Sequence, residues 1–485
     1  MLRGRTGSPF LSSGVSGVTP TPETLDRLKA VLGPDGWSED PDRIAPKLLE
    51  WRGRWTGATP LLLLPRTAQE VAAAVRVCAE TGTAVTPQGG GTGLVGGQIP
   101  QGEVLLSTER LRAVREVAPG DDAIIVEAGV TLAEVQAAAA AADRFFPLSL
   151  ASEGTATVGG LLSTNAGGTA VLRYGTMRDL ALGVEAVLPN GELFAGLKRL
   201  RKDVSGYDLK QLLIGAEGTL GIITAASLKL FPVLRSRAVA FAGLRSPDDA
   251  LALLARAKVE SGGAVEAFEL MGRASLALVL KNIADSRDPL SEPHPWYVLI
   301  ETATPAPDEA DAALERILSA GFEADLLQDA VIAKSEAEAR TLWALRENHS
   351  AAQRPEGQGW KHDISVPVSR MAEFIERGSA LALQLAPGSN VTAFGHVGDG
   401  NVHFDVLQPP GADAGAAHAA AREEGSRAVH DLAHELGGSL SAEHGLGVLK
   451  SAEAIRYKSE AEVAAHRAIR AALDPRRIMN PRVLF

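Results

Sequence analysis

The sequence predicts an α+β protein of at least two domains, and three observations carry that expectation. Its 485 residues exceed the ~100–200 usual for one domain. In the first half a buried strand at Leu61–Leu64, a helix behind the cap residue Thr67 and a strand at Ala84–Thr86 lead into a run of glycines. In the second half strand patterns alternate with alanine-rich helices, the arrangement of a sheet covered by helices.

Residues 1–20 are rich in Gly, Ser and Thr without periodicity and read as a flexible lead-in. Residues 21–55 form a small N-terminal helical element, in which Thr21 caps a helix with apolar positions Leu25, Leu28 and Leu32. The first domain spans 56–232. After Leu61–Leu64, the helix behind Thr67 turns Val71, Val75 and Cys78 inward. Further strands are expected at Val104–Leu106, Ile124–Glu127, Gly183–Leu188 and Gly221–Leu230. Pro232 closes the section because proline cannot continue a strand's pairing. The second domain, 233–440, has strands expected at Ala238–Gly243, Ala264–Leu270, Trp296–Glu301, Glu323–Leu327, Asn390–Gly395 and Asn401–Leu407. In the segment 441–485, which carries Glu443 and His444, one helix is expected over Ser451–Leu473, stopped by Asp474-Pro475.

Composition excludes several classes. A net charge of −11 argues against nucleic acid as a partner. Hydrophobic content of 45% with 22% charge excludes a disordered chain or a coiled coil. The single cysteine, Cys78, forbids an intramolecular disulfide, a cysteine-ligated zinc finger or an iron–sulfur cluster held by this chain. No run reaches the ~18 apolar residues of a spanning helix and no signal-peptide core follows Arg3 and Arg5, so no transmembrane segment and a cytoplasmic location are expected.

The glycines cluster where a cofactor would lie. Pro87-Gln88-Gly89-Gly90-Gly91-Thr92-Gly93 and its continuation to Gly97 follow a strand, and backbone without side chains can aim N–H groups at a pyrophosphate. A P-loop is excluded because no lysine follows the glycines. A dinucleotide fold of the nicotinamide type requires a helix next, which Gly97, Pro100 and Gly102 forbid. A second cluster, Glu153–Gly168, places Thr164 and Asn165 among glycines, a surface on which a flat ring can lie.

Together with Arg178, the stretch Lys202–Lys210 and Ile214-Gly215-Ala216-Glu217-Gly218-Thr219-Leu220-Gly221, these motifs resemble the flavoprotein oxidoreductases with a vanillyl-alcohol-oxidase type FAD domain. The resemblance runs from about residue 56 to the C-terminus. It is strongest to the D-2-hydroxyglutarate and D-lactate dehydrogenase branch, and extends to the FAD subunit of glycolate oxidase. It implies a two-part FAD-binding domain, an α+β substrate domain and a C-terminal segment returning to the FAD domain. The implied FAD contacts are Pro87, Gly89, Gly90, Gly91, Thr92, Gly93, Gly159, Thr164, Asn165, Gly168, Glu217, Gly221 and Ile222. Some relatives tether flavin through a histidine in this domain. Residues 56–232 contain none, so the FAD is expected to be non-covalent.

A third constellation lies in Gly395–Asp405. Asp399-Gly400 is a hairpin-turn pair that sets His396 opposite His403. Opposite Cβ atoms stand ~4.5–5.5 Å apart, which suits two imidazoles on one divalent metal with Glu443 as the third ligand. In the resembled family His396, His403 and Glu443 correspond to metal ligands, with zinc expected and manganese or iron as alternatives, and His444 corresponds to the catalytic base. Arg346, Ser350 and Lys361 fall where the family binds substrate carboxylate, with Asp405 and His444 in the same set. Arg346 and Ser350, four apart, should share one helix face. Asp405 stands where relatives usually carry Asn, Ser350 where the glutarate enzymes carry Thr, and Val204-Ser205 where Asn-Thr is common.

The implied activity is oxidation of a D-2-hydroxy acid, with His444 taking the hydroxyl proton and flavin N5 the hydride. Arg346 and Lys361 together exceed what lactate requires, which favours D-2-hydroxyglutarate or a similar hydroxy-dicarboxylate. D-lactate oxidation and a flavin-binding subunit of a multi-subunit glycolate oxidase are the alternatives. Electrons would pass to an external acceptor such as electron-transfer flavoprotein or a quinone, and a homodimer is compatible with the resemblance.

Overall fold

Hydroxyl caps open two of the first helices of the chain. Thr21 accepts from the amide of Thr24 ahead of the helix Pro22–Leu32, and Thr67 from that of Glu70 ahead of Ala68–Thr81. The computed structural model describes residues 19–484, so all but the end of the expected lead-in lies outside the described residues.

Strands β1 (Trp37–Ser38), β2 (Leu62–Leu63), β3 (Val85–Gln88) and β4 (Val104–Ser107) form a sheet ordered β1-β2-β4-β3, in which β4 runs parallel to both β2 and β3. The fully buried Leu61, Leu63, Val71, Val75 and Val85 join it to the Ala68–Thr81 helix. Next come β5 (Val114–Ala118), β6 (Ala123–Glu127), β7 (Arg144–Phe145), β8 (Ala181–Val187), β9 (Leu193–Gly196), β10 (Ile222–Lys229) and β11 (Phe231–Pro232). Five of these make an antiparallel sheet ordered β5-β6-β10-β8-β9, and β7 pairs with β11.

The remaining strands are β12 (Ser236–Leu244), β13 (Val265–Gly272), β14 (Trp296–Thr304), β15 (Asp329–Ile332), β16 (Gly359–Ser365), β17 (Asn390–His396) and β18 (Asn401–Leu407). They build one antiparallel sheet ordered β15-β12-β14-β13-β17-β18-β16. One face carries Ile300, Phe268 and Phe404 against Leu253, Leu314, Phe374 and Val429 of the covering helices. The opposite face is apolar at Phe241, Met271 and Leu299. Towards β16 that face turns polar, and the site lies there.

Three expectations are corrected. Residues 323–327 are not a strand: the apolar spacing Ala310, Leu314, Ile317, Gly321 keeps helical period to Glu323, and the strand begins at Asp329. The single helix over Ser451–Leu473 is two, Gly447–Ala454 and Glu460–Leu473, because Ser459 and Glu462 form a capping box that starts the second. Strand β16 was not expected at all, since its Lys361, His362 and Asp363 lack the β-branched and aromatic character that marks strands.

The C-terminal segment completes the first domain. Met479 bridges Val85 in parallel, Ile478 and Met479 are buried in the β3 core, and the Asn480 amide donates to the carbonyls of Gly97 and Glu217 at 3.0 and 2.8 Å.

Candidate active site

Both glycine clusters and the polar face of the second sheet open onto one cavity of about 1700 Å³. At one end the loop after β3 turns its amides outward. Gln98 donates to the carbonyls of Gly91 and Gly93, while among the described residues no acceptor meets the N–H groups of Gly89, Gly90, Gly91, Thr92 and Gly93. A Cβ on Gly91 would meet nothing within 4 Å, and its φ of +72° demands glycine. Five unpaired amides on a loop with open space above it fit a pyrophosphate, and the long cavity fits a dinucleotide.

Other glycines serve loop contact. A Cβ on Gly90 would lie 1.9 Å from the Thr155 carbonyl, and one on Gly89 2.4 Å from Thr157 Oγ1, so the two clusters interlock. Pro87, Gly89, Gly90, Gly91, Thr92, Gly93, Gly159, Thr164, Gly168, Glu217, Gly221 and Ile222 all line the cavity. Asn165 does not. Its side-chain oxygen accepts from Thr176 Oγ1 and the Arg178 amide, both at 2.9 Å, which makes it a turn holder. The Glu217 carboxylate is also engaged: its two oxygens accept the amides of Leu446 and Gly447, each at 2.8 Å. Burial raises its pKa against those bonds, and it acts as a strut to the C-terminal segment.

The chemical end is built by four adjacent strands. The register places Asp363 beside His403, His403 beside Phe394, and Glu269 beside His396. His396 is therefore not directly opposite His403. The hairpin register is displaced by two residues, because Val397 N donates to Phe268 O and Val366 N to Gly400 O, opening the turn towards both neighbouring strands. A displacement of two preserves the sheet face. The rings still converge, with centroids 6.0 Å apart.

Glu443 arrives on the loop after Ser439. One donor atom each of His396, His403 and Glu443 lie within 4.8 Å of one another, and Asp363, Glu443 and His444 form a second such group. His403 Nε2 is 3.6 Å and His444 Nε2 3.7 Å from Glu443 Oε1.

Two buried carboxylates hold these side chains. Glu269, fully buried, accepts His396 Nδ1 at 2.7 Å and Arg346 Nε at 2.8 Å. Burial disfavours a charged His396, but attraction and hydrogen bonding to Glu269 outweigh it and raise the ring to about 9. Asp363 accepts the amides of Glu443 and His444 at 3.1 and 2.9 Å and faces His444 Nδ1 at 3.3 Å. Burial opposes its charge, yet the histidines and Lys450 hold its carboxyl well below the usual range. Burial also drives His403 well below the ordinary histidine value.

The expected carboxylate clamp is altered. Arg346 and Ser350 both line the cavity, but on two helices, Glu336–Glu347 and His349–Ala352, separated at Asn348. Lys361 and Asp405 do not line it. They are register partners on β16 and β18, and Lys361 Nζ lies 3.1 Å from Asp405 Oδ2 while also donating to Gln353. Asp405 neutralises the lysine where it stands.

Sequence reasoning missed Glu269, Asp363 and the cavity-lining pair Trp51 and Arg52. For Asp363 a signal existed in the alternation Lys361, Asp363, Ser365, which puts three polar residues on one strand face. Glu269 lies in an otherwise apolar strand, where a carboxylate needs a buried partner.

Comparison with known proteins adds the family. Residues 59–195 match the FAD binding domain, and residues 233–484 the FAD linked oxidases, C-terminal domain. The mitochondrial D-2-hydroxyglutarate dehydrogenase of Arabidopsis thaliana is 35% identical over 462 residues, covering 94% of this chain and 80% of that protein. D-2-hydroxyglutarate dehydrogenase of Xanthomonas citri pv. viticola is 37% identical over 438 residues, covering 90% and 91%. Among solved structures, p-cresol methylhydroxylase aligns with a TM-score of 0.73 at 14% identity, covering 95% of this chain and 96% of that one. The 4-ethylphenol oxidase of Gulosibacter chungangensis aligns at 0.71 and 18%, covering 94% and 95%. These two show a shared fold. With both halves matched and relatives aligned over most of their length, this chain belongs to the FAD-linked oxidase family.

Proposed function

We propose that the protein is an FAD-dependent, divalent-metal-assisted dehydrogenase that oxidises a D-2-hydroxy acid to the 2-oxo acid, with D-2-hydroxyglutarate as the preferred substrate. The observation that carries this reading is the convergence of His396, His403 and Glu443 donor atoms within 4.8 Å, on the wall of the cavity that also holds the unpaired Gly89–Gly93 amides. The relatives named D-2-hydroxyglutarate dehydrogenase support the substrate class.

When bound, FAD supplies the two-electron acceptor and a divalent ion the Lewis acidity that acidifies a hydroxyl. Glu269 fixes the His396 tautomer by taking Nδ1, leaving Nε2 to face the other donors. Asp363 orients His444, whose Nε2 takes the hydroxyl proton. Arg346 is held at Nε, and its terminal nitrogens bind the substrate carboxylate. With Cys78 the sole cysteine, the chain holds no iron–sulfur relay, so electrons leave to an external acceptor such as electron-transfer flavoprotein or a quinone.

The test is anaerobic flavin bleaching by the purified protein. D-2-hydroxyglutarate should reduce the flavin and its L enantiomer should not, and chelation should abolish the reaction. Failure of every D-2-hydroxy acid to bleach it would refute the reading. The Lys361–Asp405 pair favours a second reading, D-lactate oxidation, because it removes a cation from the distal end. A higher kcat/KM for D-lactate would establish it.

A further inference from the structure

If Asp405 neutralises Lys361, a second substrate charge needs another cation. The cavity wall provides one in Arg52, from the segment before the first domain, next to Trp51. The Trp51 ring, half exposed, is approached by two guanidinium groups, Arg52 at 5.0 Å and Arg354 at 5.4 Å from its centroid. Such stacking fixes a guanidinium in direction while leaving its N–H groups free.

Arg52 lies within electrostatic reach of Arg54 and Arg354, and also of Glu50 and Asp405. Arg54 in turn feels Arg422. Glu50 is fully buried and accepts the Arg54 amide. Among the described residues none of Arg52, Arg54, Arg354 and Arg422 has a carboxylate within ion-pair distance. By contrast Arg346 is paired to Glu269 and Lys361 to Asp405. In a chain of net charge −11, a cluster of unpaired arginines, of which Arg52 lines the cavity, repels itself and favours an anion. Its place fits. Arg52 feels the charge of Asp405, which is two residues along β18 from His403, a rise of ~7 Å. That is the span of a short dicarboxylate with one end among the histidines.

We infer that Arg52, braced with Arg354 on Trp51, binds the distal carboxylate of the substrate, in the place that Lys361 yields to Asp405. This rests on the proposed hydroxy-acid dehydrogenase reading. Arg52 is a specificity residue: it touches the far end of the acid and no reacting atom.

The test uses the full-length holoprotein and two substrates, D-2-hydroxyglutarate and D-lactate. Arg52→Leu should raise KM for the dicarboxylate about tenfold more than KM for lactate, the loss of one charged contact, with kcat little changed. Arg52→Lys should restore part of the difference. Adding Asp405→Asn to Arg52→Leu should also restore part of it, because it frees Lys361. Arg354→Leu, at a partly separate position, should give a smaller loss of the same selectivity, and it serves if Arg52→Leu fails to retain flavin. Equal KM changes for both acids, no rescue by Asp405→Asn, or a parent enzyme that oxidises lactate but not the dicarboxylate would overturn the inference and leave the hydroxy-acid reading standing. No reduction of the parent's flavin by either acid would overturn that reading and this inference with it.

Discussion

Replacing Glu269 by Gln tests whether the carboxylate behind the proposed metal-binding group sets its affinity. Glu269 is fully buried and divides its oxygens between His396 Nδ1 and Arg346 Nε. A carboxamide keeps one acceptor and turns an NH2 against the other donor, so one of two charged hydrogen bonds is lost, about 1.5–3 kcal/mol. Partners behind a metal ligand typically contribute 10–100-fold in affinity, about 1.4–2.8 kcal/mol, and the two routes agree. The assay is competition for a divalent ion against a chelator, with urea unfolding in parallel. The pH must be chosen with care. In the parent His396 is raised to about 9, so below that pH the metal must displace a proton, and affinity climbs about tenfold per pH unit. Without the Glu269 charge, burial keeps the ring neutral and that climb disappears. The 10–100-fold deficit of Glu269→Gln is therefore expected in full above pH 9 and should shrink as pH falls. Equal affinities at pH 9.5, or parallel pH slopes for both proteins, would refute the reasoning.

Gly90→Ala would place a methyl 1.9 Å from the Thr155 carbonyl, so the glycine loop must shift. Expected are a stability loss of about 1–3 kcal/mol and a lower flavin-to-protein ratio, read by melting and visible absorbance. Glu266, beside Arg173, is raised from 4.5 to about 7, with burial outweighing the arginine. The unfolded chain then loses this proton first, so stability falls as pH rises from 4.5 to 7, by up to ~3 kcal/mol. Glu266→Gln should flatten that slope in denaturant titrations. His403→Ala should lower the metal content of the purified protein and most turnover while the flavin stays, measured by elemental analysis and absorbance. Denatured parent protein passed through a filter should release all its yellow colour.

Much of the site was visible in the chain because its residues sit on local patterns. The glycine loop after a strand, the Asp399-Gly400 turn and the Glu443-His444 pair each lie within a few residues. The hairpin shows both the strength and the reach of such reading. Turn chemistry gave the correct sheet face for His396 and His403, since face depends only on parity. The register itself was set by Phe268 and Val366, on strands far away in sequence. Glu269 and Asp363 were invisible for the same reason: their partners lie 127 and 81 residues away. Lys361 and Asp405, each expected as a substrate residue, meet as a pair because the unforeseen strand β16 pairs with β18.

The insertion of Ile478 and Met479 beside Val85 has a consequence for biosynthesis. Asn480 donates to a carbonyl 383 residues earlier in the chain, so during translation the flavin domain emerges first yet cannot close its own core. The whole substrate domain must be synthesised before the missing side chains leave the ribosome. Until then the β3 sheet has exposed apolar surface, the state in which nascent chains attract chaperones or aggregate. Fragments ending near residue 232 are therefore expected to be insoluble, with the remedy being the supply of the C-terminal segment and not of flavin.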